Sequence, residues 1–456
     1  MPVITSISGI RGTIGGTSTD ALTPPEIIKF VSAYGTIIKR NSPWPVVIVG
    51  RDARISGKMI ENLVCGTLMA LGIDVINIGM ATTPTTEIAV ILEKADGGII
   101  ITASHNPKNW NALKLLNNQG EFIDNDTGKE VVELANKIED IKFEEVENLG
   151  QLTKNTDYIH KHIDMIKDLE LVDVEEIKNA GFTVVVDAIN SVGAIATPML
   201  LKELGVKNII TLNNIPNGDF SHNPEPLPEN LVDLSNSIII NNADVGFAVD
   251  PDVDRLAIIS ENGEMFGEEY TLVAIADYIL SQKKGNTVSN LSSSRALRDV
   301  TQKYGQEYFA AAVGELNVVE KMKATNAIIG GEGNGGVIYP ELHYGRDSLV
   351  GIAMFLTYMA KKKMKVSEIR KQFPDYVIIK KKLNIENKNV DELLKKVEKH
   401  FIKYNPITID GVKIDFEEGW VHIRKSNTEP IIRIYAEAKS KEEAEKLSDS
   451  VISQII

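Results

Sequence analysis

Three stretches of the chain repeat one pattern of apolar and polar positions. The first is Val46-Val47-Ile48-Val49-Gly50, then helical spacing through Leu63, Leu68 and Leu71, then Gly72 and Ile73-Asp74-Val75-Ile76. The second is Thr183-Val184-Val185-Val186-Asp187, a helical pattern through Leu200 and Leu204, then Gly205 and Val206-Lys207-Asn208-Ile209-Ile210. The third is Asn286-Thr287-Val288-Ser289, a helical pattern through Leu297 and Val300, then Gly305 and Tyr308-Phe309-Ala310. Short β-branched runs suit strands buried on both faces, and a glycine after each helix suits a C-cap. Each stretch therefore predicts strand, helix, strand, with a right-handed crossover onto a mainly parallel sheet.

A further strand follows each unit and ends in an unusual loop. Gly98-Ile99-Ile100-Ile101 leads to Thr102-Ala103-Ser104-His105-Asn106-Pro107. Val245–Val249 leads to Asp250, and Ala327-Ile328-Ile329 leads to the glycine-rich Gly330–Gly336. The reading is three related α/β domains, each offering one loop to a shared cleft; ordinary α/β grammar produces the same pattern without kinship. The remainder differs: strand Tyr376–Lys382, helix Val390–Lys403, strands near Ile407–Ile414, Trp420–Arg424 and Ile431–Glu437, and a helix Lys441–Ile455 predict a smaller α+β domain. With breaks near 150, 258 and 370, the domains run 1–150, 151–258, 259–370 and 371–456.

Composition narrows the function. The chain has 456 residues, which calls for several domains, and 43% hydrophobic with 25% charged residues describes a globular protein. A net charge of −14 argues against nucleic acid or an anionic membrane as partner, while leaving room for a local cationic pocket. Cys65 is the one cysteine, so no internal disulfide forms and a reducing, cytoplasmic setting fits. No apolar run reaches membrane-spanning length, and Met1-Pro2-Val3-Ile4-Thr5 does not read as a signal peptide.

Four loops carry candidate chemistry. Ser104 lies just past the carboxyl end of a buried strand, where open α/β sheets bind ligands, with His105 beside it and Lys114 ten residues on. Asp250, Asp252 and Asp254 stand at i, i+2 and i+4; in extended backbone they point to one side and repel unless a hard cation such as Mg2+ or Ca2+ neutralises them. An EF-hand is excluded, because its glycine position holds Arg255 and Leu256-Ala257-Ile258-Ile259 reads as a strand. Gly331-Glu332-Gly333-Asn334-Gly335-Gly336 matches G-x-G-x-x-G, but Val337-Ile338-Tyr339-Pro340 is not the helix a dinucleotide site needs. It reads instead as a flexible loop offering Glu332 and Asn334 to sugar hydroxyls. Arg424-Lys425-Ser426-Asn427-Thr428-Glu429-Pro430, between two strands, suits a phosphate cradle. Ser8-Gly9-Ile10-Arg11-Gly12 and Gly50-Arg51-Asp52-Ala53-Arg54 add arginines that face phosphate or solvent. Each loop read alone also fits an ordinary polar turn.

Together, in this order, the four motifs resemble the α-D-phosphohexomutase family, and the resemblance spans nearly the whole chain. It implies three topologically related α/β domains with mixed, mainly parallel sheets, plus a smaller C-terminal domain, around one cleft. It implies phosphoryl transfer between the 6- and 1-positions of a hexose phosphate through phospho-Ser104 and a hexose 1,6-bisphosphate. In that scheme Asp250, Asp252 and Asp254 bind one Mg2+ with the phosphoserine. Arg11, His105, Lys114 and Arg255 serve the transfer, with Lys114 a general acid/base. Glu332 and Asn334 read the sugar, and Arg424, Ser426, Asn427, Thr428 and Arg433 grip the phosphate that is not reacting. The chain departs from the family at Asn334, commonly serine; at Gly336, often histidine; at Ala112, frequently glycine; and at Leu316, usually basic. Thr428-Glu429-Pro430 looks like phosphoglucosamine mutases, while Asn427 looks like phosphomannomutase/phosphoglucomutase members. The expectation is a glucosamine-phosphate mutase, a monomer or homodimer acting on small hexose phosphates. A phosphomannomutase/phosphoglucomutase, a Ser- and metal-dependent phosphatase and a silent sugar-phosphate sensor are the alternatives.

Overall fold

The structure, a computed structural model, describes residues 4–6, 9–17, 20–384, 389–425 and 431–454. Its first three sheets share one strand arrangement. In the first, Gly97–Ile101, Val46–Arg51 and Asp74–Met80 lie side by side and parallel. In the second, Val245–Val249, Thr183–Asp187 and Asn208–Leu212 repeat that order and direction. In the third, Ala327–Glu332, Asn286–Asn290 and Tyr308–Ala311 repeat it again. In each, the strand last in sequence is flanked on its other side by an antiparallel partner: Trp110–Leu116, Leu256–Ser260 and Gly336–Ile338. The Ser104, Asp250 and Gly333–Gly335 loops are thus one and the same connection in three repeats. The predicted C-cap glycines Gly72, Gly205 and Gly305 all have positive φ, at 75°, 80° and 67°, which a side chain would resist.

The first sheet is larger, extended by Gly9–Thr13 and Ile4–Ser6 at one edge and Leu152–Lys154 at the other. Leu152–Lys154 lies beyond the expected break at 150, and Leu256–Ser260 crosses that at 258, because both complete hydrogen-bonded ladders of the preceding sheet. The fourth sheet, Val377–Asn384, Ile431–Ala438, Trp420–Lys425 and Val412–Asp415, is antiparallel throughout.

The helix Ser348–Lys362 is apolar nearly all round, and 13 of its residues from Ser348 to Ala360 are buried. Such a helix needs cover on every side, and residues of the second and third repeats share one apolar core with it. The fourth domain docks through polar contacts. Arg295 donates to the carbonyls of Phe416 and Gly419, and His422 Nδ1 lies 2.9 Å from Ser292 Oγ. Among the described residues no helix is long and apolar enough to cross a membrane.

Candidate active site

Ser104 occupies a turn with φ 49°, held by its neighbours. Its N–H donates to Thr102 Oγ1 at 3.0 Å, and Thr102 Oγ1 donates to Asp52 Oδ2 at 2.7 Å. Arg54, 1% exposed, donates to the carbonyls of Ser104, Asn106, Pro107 and Trp110 and ion-pairs with Asp52 at 3.0 Å. Arg54 therefore faces neither phosphate nor solvent, the two options its sequence left open: it is the buried brace of the serine loop. Arg51 also turns inward, pairing with Glu61 at 2.7 Å.

The Ser104 hydroxyl donates to Asp250 Oδ2 at 2.6 Å and lies 3.5 Å from His105 Nδ1. The Asp250–Arg255 segment is a turn, not the extended run the spacing suggested. Val253 takes φ 63°, Val253 N–H donates to the Asp250 carbonyl at 3.0 Å, and the carbonyl of Pro251 accepts from Ser191. The three carboxylates still converge, with oxygens within 4.8 Å of one another and all three residues fully buried. Asp252 accepts from Thr83 at 2.6 Å and from Lys114 Nζ at 2.7 Å; Asp254 accepts from Arg346 at 2.7 Å. The Oδ1 atoms of Asp252 and Asp254 are buried without a hydrogen-bond partner. Two orphaned carboxylate oxygens beside a third carboxylate form a hard oxygen donor set that fits Mg2+.

Burial and the neighbouring Asp252 and Asp254 raise the Asp250 carboxyl well above its ordinary range. Burial opposes charge on Lys114 too, but Asp252 and Asp254 outweigh it and hold the ammonium more firmly than usual. His105 is driven far below a free imidazole by burial, Arg255 and Arg11, so it is neutral. Arg11 donates to Asn106 Oδ1 at 3.2 Å, and Arg255 N–H donates to Asp250 Oδ1 at 3.2 Å. Ser104, Asp250, Asp252, Asp254, Lys114, His105, Arg11 and Arg255 thus form one cluster.

The glycine-rich segment is a tight hairpin, and its strand runs three residues past the expected Ile329. Gly331 pairs with Val337 and Glu332 with Gly336, leaving Gly333-Asn334-Gly335 as the turn. Glu332 is 5% exposed; its Oε1 accepts from Asn290 Nδ2 at 2.9 Å and Gly314 N–H at 3.2 Å, and its Oε2 from Arg346 at 2.8 Å. A carboxylate offers about four acceptor sites, so about one remains for a ligand hydroxyl. Asn334 Oδ1 accepts from Gly336 N–H at 3.2 Å, inside its own turn.

Arg346 was not among the sequence candidates. It is buried, and it binds Asp254, Glu332 and Glu315 at 2.7, 2.8 and 2.9 Å, joining the acidic turn to the hairpin. A Cβ at Gly336 would stand 2.4 Å from Arg346 Cδ, so the arginine fills the space that a side chain at 336 would need. Its signal was present: Gly345-Arg346-Asp347 repeats the tripeptide Gly50-Arg51-Asp52. Leu316, at the position usually basic in the family it resembles, is a buried apolar residue.

In the fourth domain Arg424 and Arg433 stand directly opposite one another on adjacent strands. Like charges so paired repel, which suits an anion between them. Arg424 Nε also contacts Asp410 at 3.2 Å. Ser426, Asn427 and Thr428 lie outside the described residues, as does Ser8.

Four family models match in order: phosphoglucomutase/phosphomannomutase alpha/beta/alpha domain I over residues 4–142, domain II over 160–263, domain III over 267–376 and the C-terminal domain over 376–454. A phosphoglucomutase/phosphomannomutase of Thermococcus kodakarensis is 38% identical, covering 95% of each chain. A probable phosphoglucosamine mutase of Methanopyrus kandleri is 31% identical, covering 98% of this chain and 96% of the relative. The crystal structure of a phosphoglucomutase/phosphomannomutase family protein from Burkholderia thailandensis matches with a TM-score of 0.85 and 26% identity, over 99% of this chain and 97% of that one. The chain belongs to the phosphoglucomutase/phosphomannomutase family. It is a phosphohexose mutase, an isomerase.

Proposed function

We propose that the chain interconverts glucosamine 6-phosphate and glucosamine 1-phosphate, with Ser104 as the phosphoryl carrier. The observation that carries this reading is the 2.6 Å contact of the Ser104 hydroxyl with Asp250, beside two further buried carboxylates and an ammonium. In the first half-reaction a hydroxyl of the hexose monophosphate attacks phosphoserine: its O–P bond forms, the Ser104 Oγ–P bond breaks, and a hexose 1,6-bisphosphate results. Lys114, which contacts Asp252 and Asp254, is the candidate general acid/base, and His105 stands beside the Ser104 hydroxyl. Arg11 and Arg255 steady the transferring group by position and charge. Asp250, Asp252 and Asp254, with the serine phosphoryl group, would hold Mg2+, which offsets negative charge on that group. The bisphosphate reorients in the cleft, with Glu332 and Asn334 on ring hydroxyls and Arg424 and Arg433, together with Ser426, Asn427 and Thr428, on the remote phosphate. It then returns its other phosphoryl group to Ser104.

The sugar assignment rests on Thr428-Glu429-Pro430 and on relatives described as probable phosphoglucosamine mutases. A phosphoglucomutase/phosphomannomutase range is the second reading, favoured by Asn427 and by the 38% identical Thermococcus relative. The acidic chain and its single buried cysteine support a cytoplasmic enzyme of small hexose phosphates. Turnover measured on glucosamine, glucose and mannose phosphates, with inorganic phosphate release followed in parallel, tests this assignment. A clear kcat/KM preference for the glucosamine pair supports it. Preference for glucose or mannose phosphates supports the second reading, and phosphate release matching turnover overturns both.

A further inference from the structure

Away from the acidic turn, a second cluster of ligating side chains lies where the three repeats meet. His162 comes from the helix Tyr158–Lys167, Thr85 and Glu87 from the helix Thr83–Glu93, His343 from a loop, and Asp347 from the N-terminus of the helix Ser348–Lys362. His162 and Asp347 are fully buried, and Glu87 and His343 are 1% and 4% exposed. One ring nitrogen from each histidine and one Asp347 oxygen lie within 4.8 Å of one another.

We propose that His162, His343 and Asp347 bind one transition-metal ion of the zinc class, as a structural clamp between the repeats. The donor chemistry suits such an ion, since two imidazoles and a carboxylate prefer zinc-like metals to Mg2+. The surroundings also have the form of a metal site. The second nitrogen of a ligating histidine is normally held by an outer partner: His162 Nδ1 lies 3.0 Å from Thr85 Oγ1, and His343 Nδ1 lies 3.3 Å from Glu87 Oε2. The second oxygen of Asp347 is taken by the N–H groups of Leu349 and Val350, leaving Oδ2 for the centre. Oδ2 is 2.9 Å from His162 Nε2 and 3.5 Å from His343 Nε2.

Hydrogen bonding alone leaves this cluster incomplete. Both His343 nitrogens and Glu87 Oε2 are buried, and none of their contacts has hydrogen-bond geometry. Buried orphans of this kind are rare and call for an explanation. A divalent ion balances the Asp347 and Glu87 carboxylates. Gly345 makes room for the Glu87 carboxylate beside His343, for a Cβ there would stand 1.9 Å from Glu87 Oε2. Asp347 directly follows Arg346, so the clamp fixes the chain that reaches the acidic turn.

The test strips the full-length protein with chelator, reloads it with zinc, desalts it in excess Mg2+ and measures metal content. One zinc per chain is expected in the wild type and in Asp252→Asn, and none in His162→Gln. Cobalt in place of zinc should give the intense visible absorption of a low-coordinate, nitrogen-ligated site, absent in His162→Gln. If His162→Gln does not fold, the cobalt spectrum of the wild type and of Asp252→Asn decides. Colourless cobalt protein that retains no zinc, or zinc lost with Asp252→Asn and kept with His162→Gln, overturns the proposal and leaves a proton-only network.

Discussion

The hydroxyl of Ser104 donates to Asp250 Oδ2 at 2.6 Å, across 146 positions of sequence. The two residues follow equivalent strands of two repeats, Gly97–Ile101 and Val245–Val249. The chain has brought one loop of its basic unit against another copy of itself. Both turns contain a non-glycine residue in left-handed backbone, Ser104 at φ 49° and Val253 at φ 63°, which persists only where the surroundings enforce it.

For the serine turn that enforcement is Arg54. A lysine keeps the charge but cannot serve four carbonyls and Asp52 together. Arg54→Lys should lower kcat on the order of a hundredfold with KM little changed. Steady-state kinetics with a circular dichroism check of folding would show it, and an unchanged kcat would mean that the turn holds itself.

The acidic turn should be metal-dependent. Asp252→Asn removes the charge that pairs with Lys114, and should raise the Mg2+ concentration for half-maximal activity about tenfold. Excess chelator should abolish wild-type turnover. Mg2+ titration of both proteins is the measurement, and full activity in chelator would refute the assignment.

In the proposed cycle Glu332 meets a substrate that must be read in two orientations. Its truncation leaves Arg346 and Asn290 without their partner, and each buried group left unpaired costs about 1–3 kcal/mol. Glu332→Ala should slow forward and reverse reactions by similar factors, roughly tenfold or more. An effect confined to one direction would show that Glu332 meets the sugar in only one pose. Asn334→Ser should shift the relative kcat/KM among hexose phosphates while Ser104 still accepts phosphate.

The contact between the third and fourth domains should weaken in acid. His422 is fully buried, and burial lowers it to about 4 although the Asp410 carbonyl accepts from its ring. Between that value and the ordinary 6.5 the unfolded chain binds a proton that the folded chain does not. The stability present above pH 6.5 is therefore lost as pH falls toward 4. Chemical denaturation across this range should show a steeper loss in the wild type than in His422→Gln. Parallel curves would exclude His422 as the source.

Much of this was legible in the residue pattern. Three apolar runs with helices and terminal glycines disclosed the repeats, because strand burial and C-capping leave local marks at Val46–Val49, Gly72 and their counterparts. The carboxylate triplet was visible for the same reason: three like charges in five residues need a cation. The roles of Arg54 and Arg346 were hidden, since an arginine beside a glycine looks the same whether it braces a turn or faces a ligand. Only the fold shows Arg346 filling the space over Gly336. The hairpin at Gly333–Gly335 was not legible because its turn packs on Leu256 and Arg346, both outside the glycine-rich segment. A Cβ at Gly335 would stand 2.3 Å from the Leu256 carbonyl. The His162–Asp347 cluster joins positions 185 apart, and no local pattern announces it.

The central claim is that Ser104 carries the phosphoryl group that moves. Intact-protein mass spectrometry of the purified enzyme, before and after brief incubation with glucosamine 6-phosphate, tests it most directly. The account predicts one phosphoryl group per chain, mapped to Ser104, lost to the sugar as the bisphosphate appears and absent from Ser104→Ala, whose mutase activity falls roughly a thousandfold or more. A phosphoryl group on another residue, or normal turnover by Ser104→Ala, would contradict it.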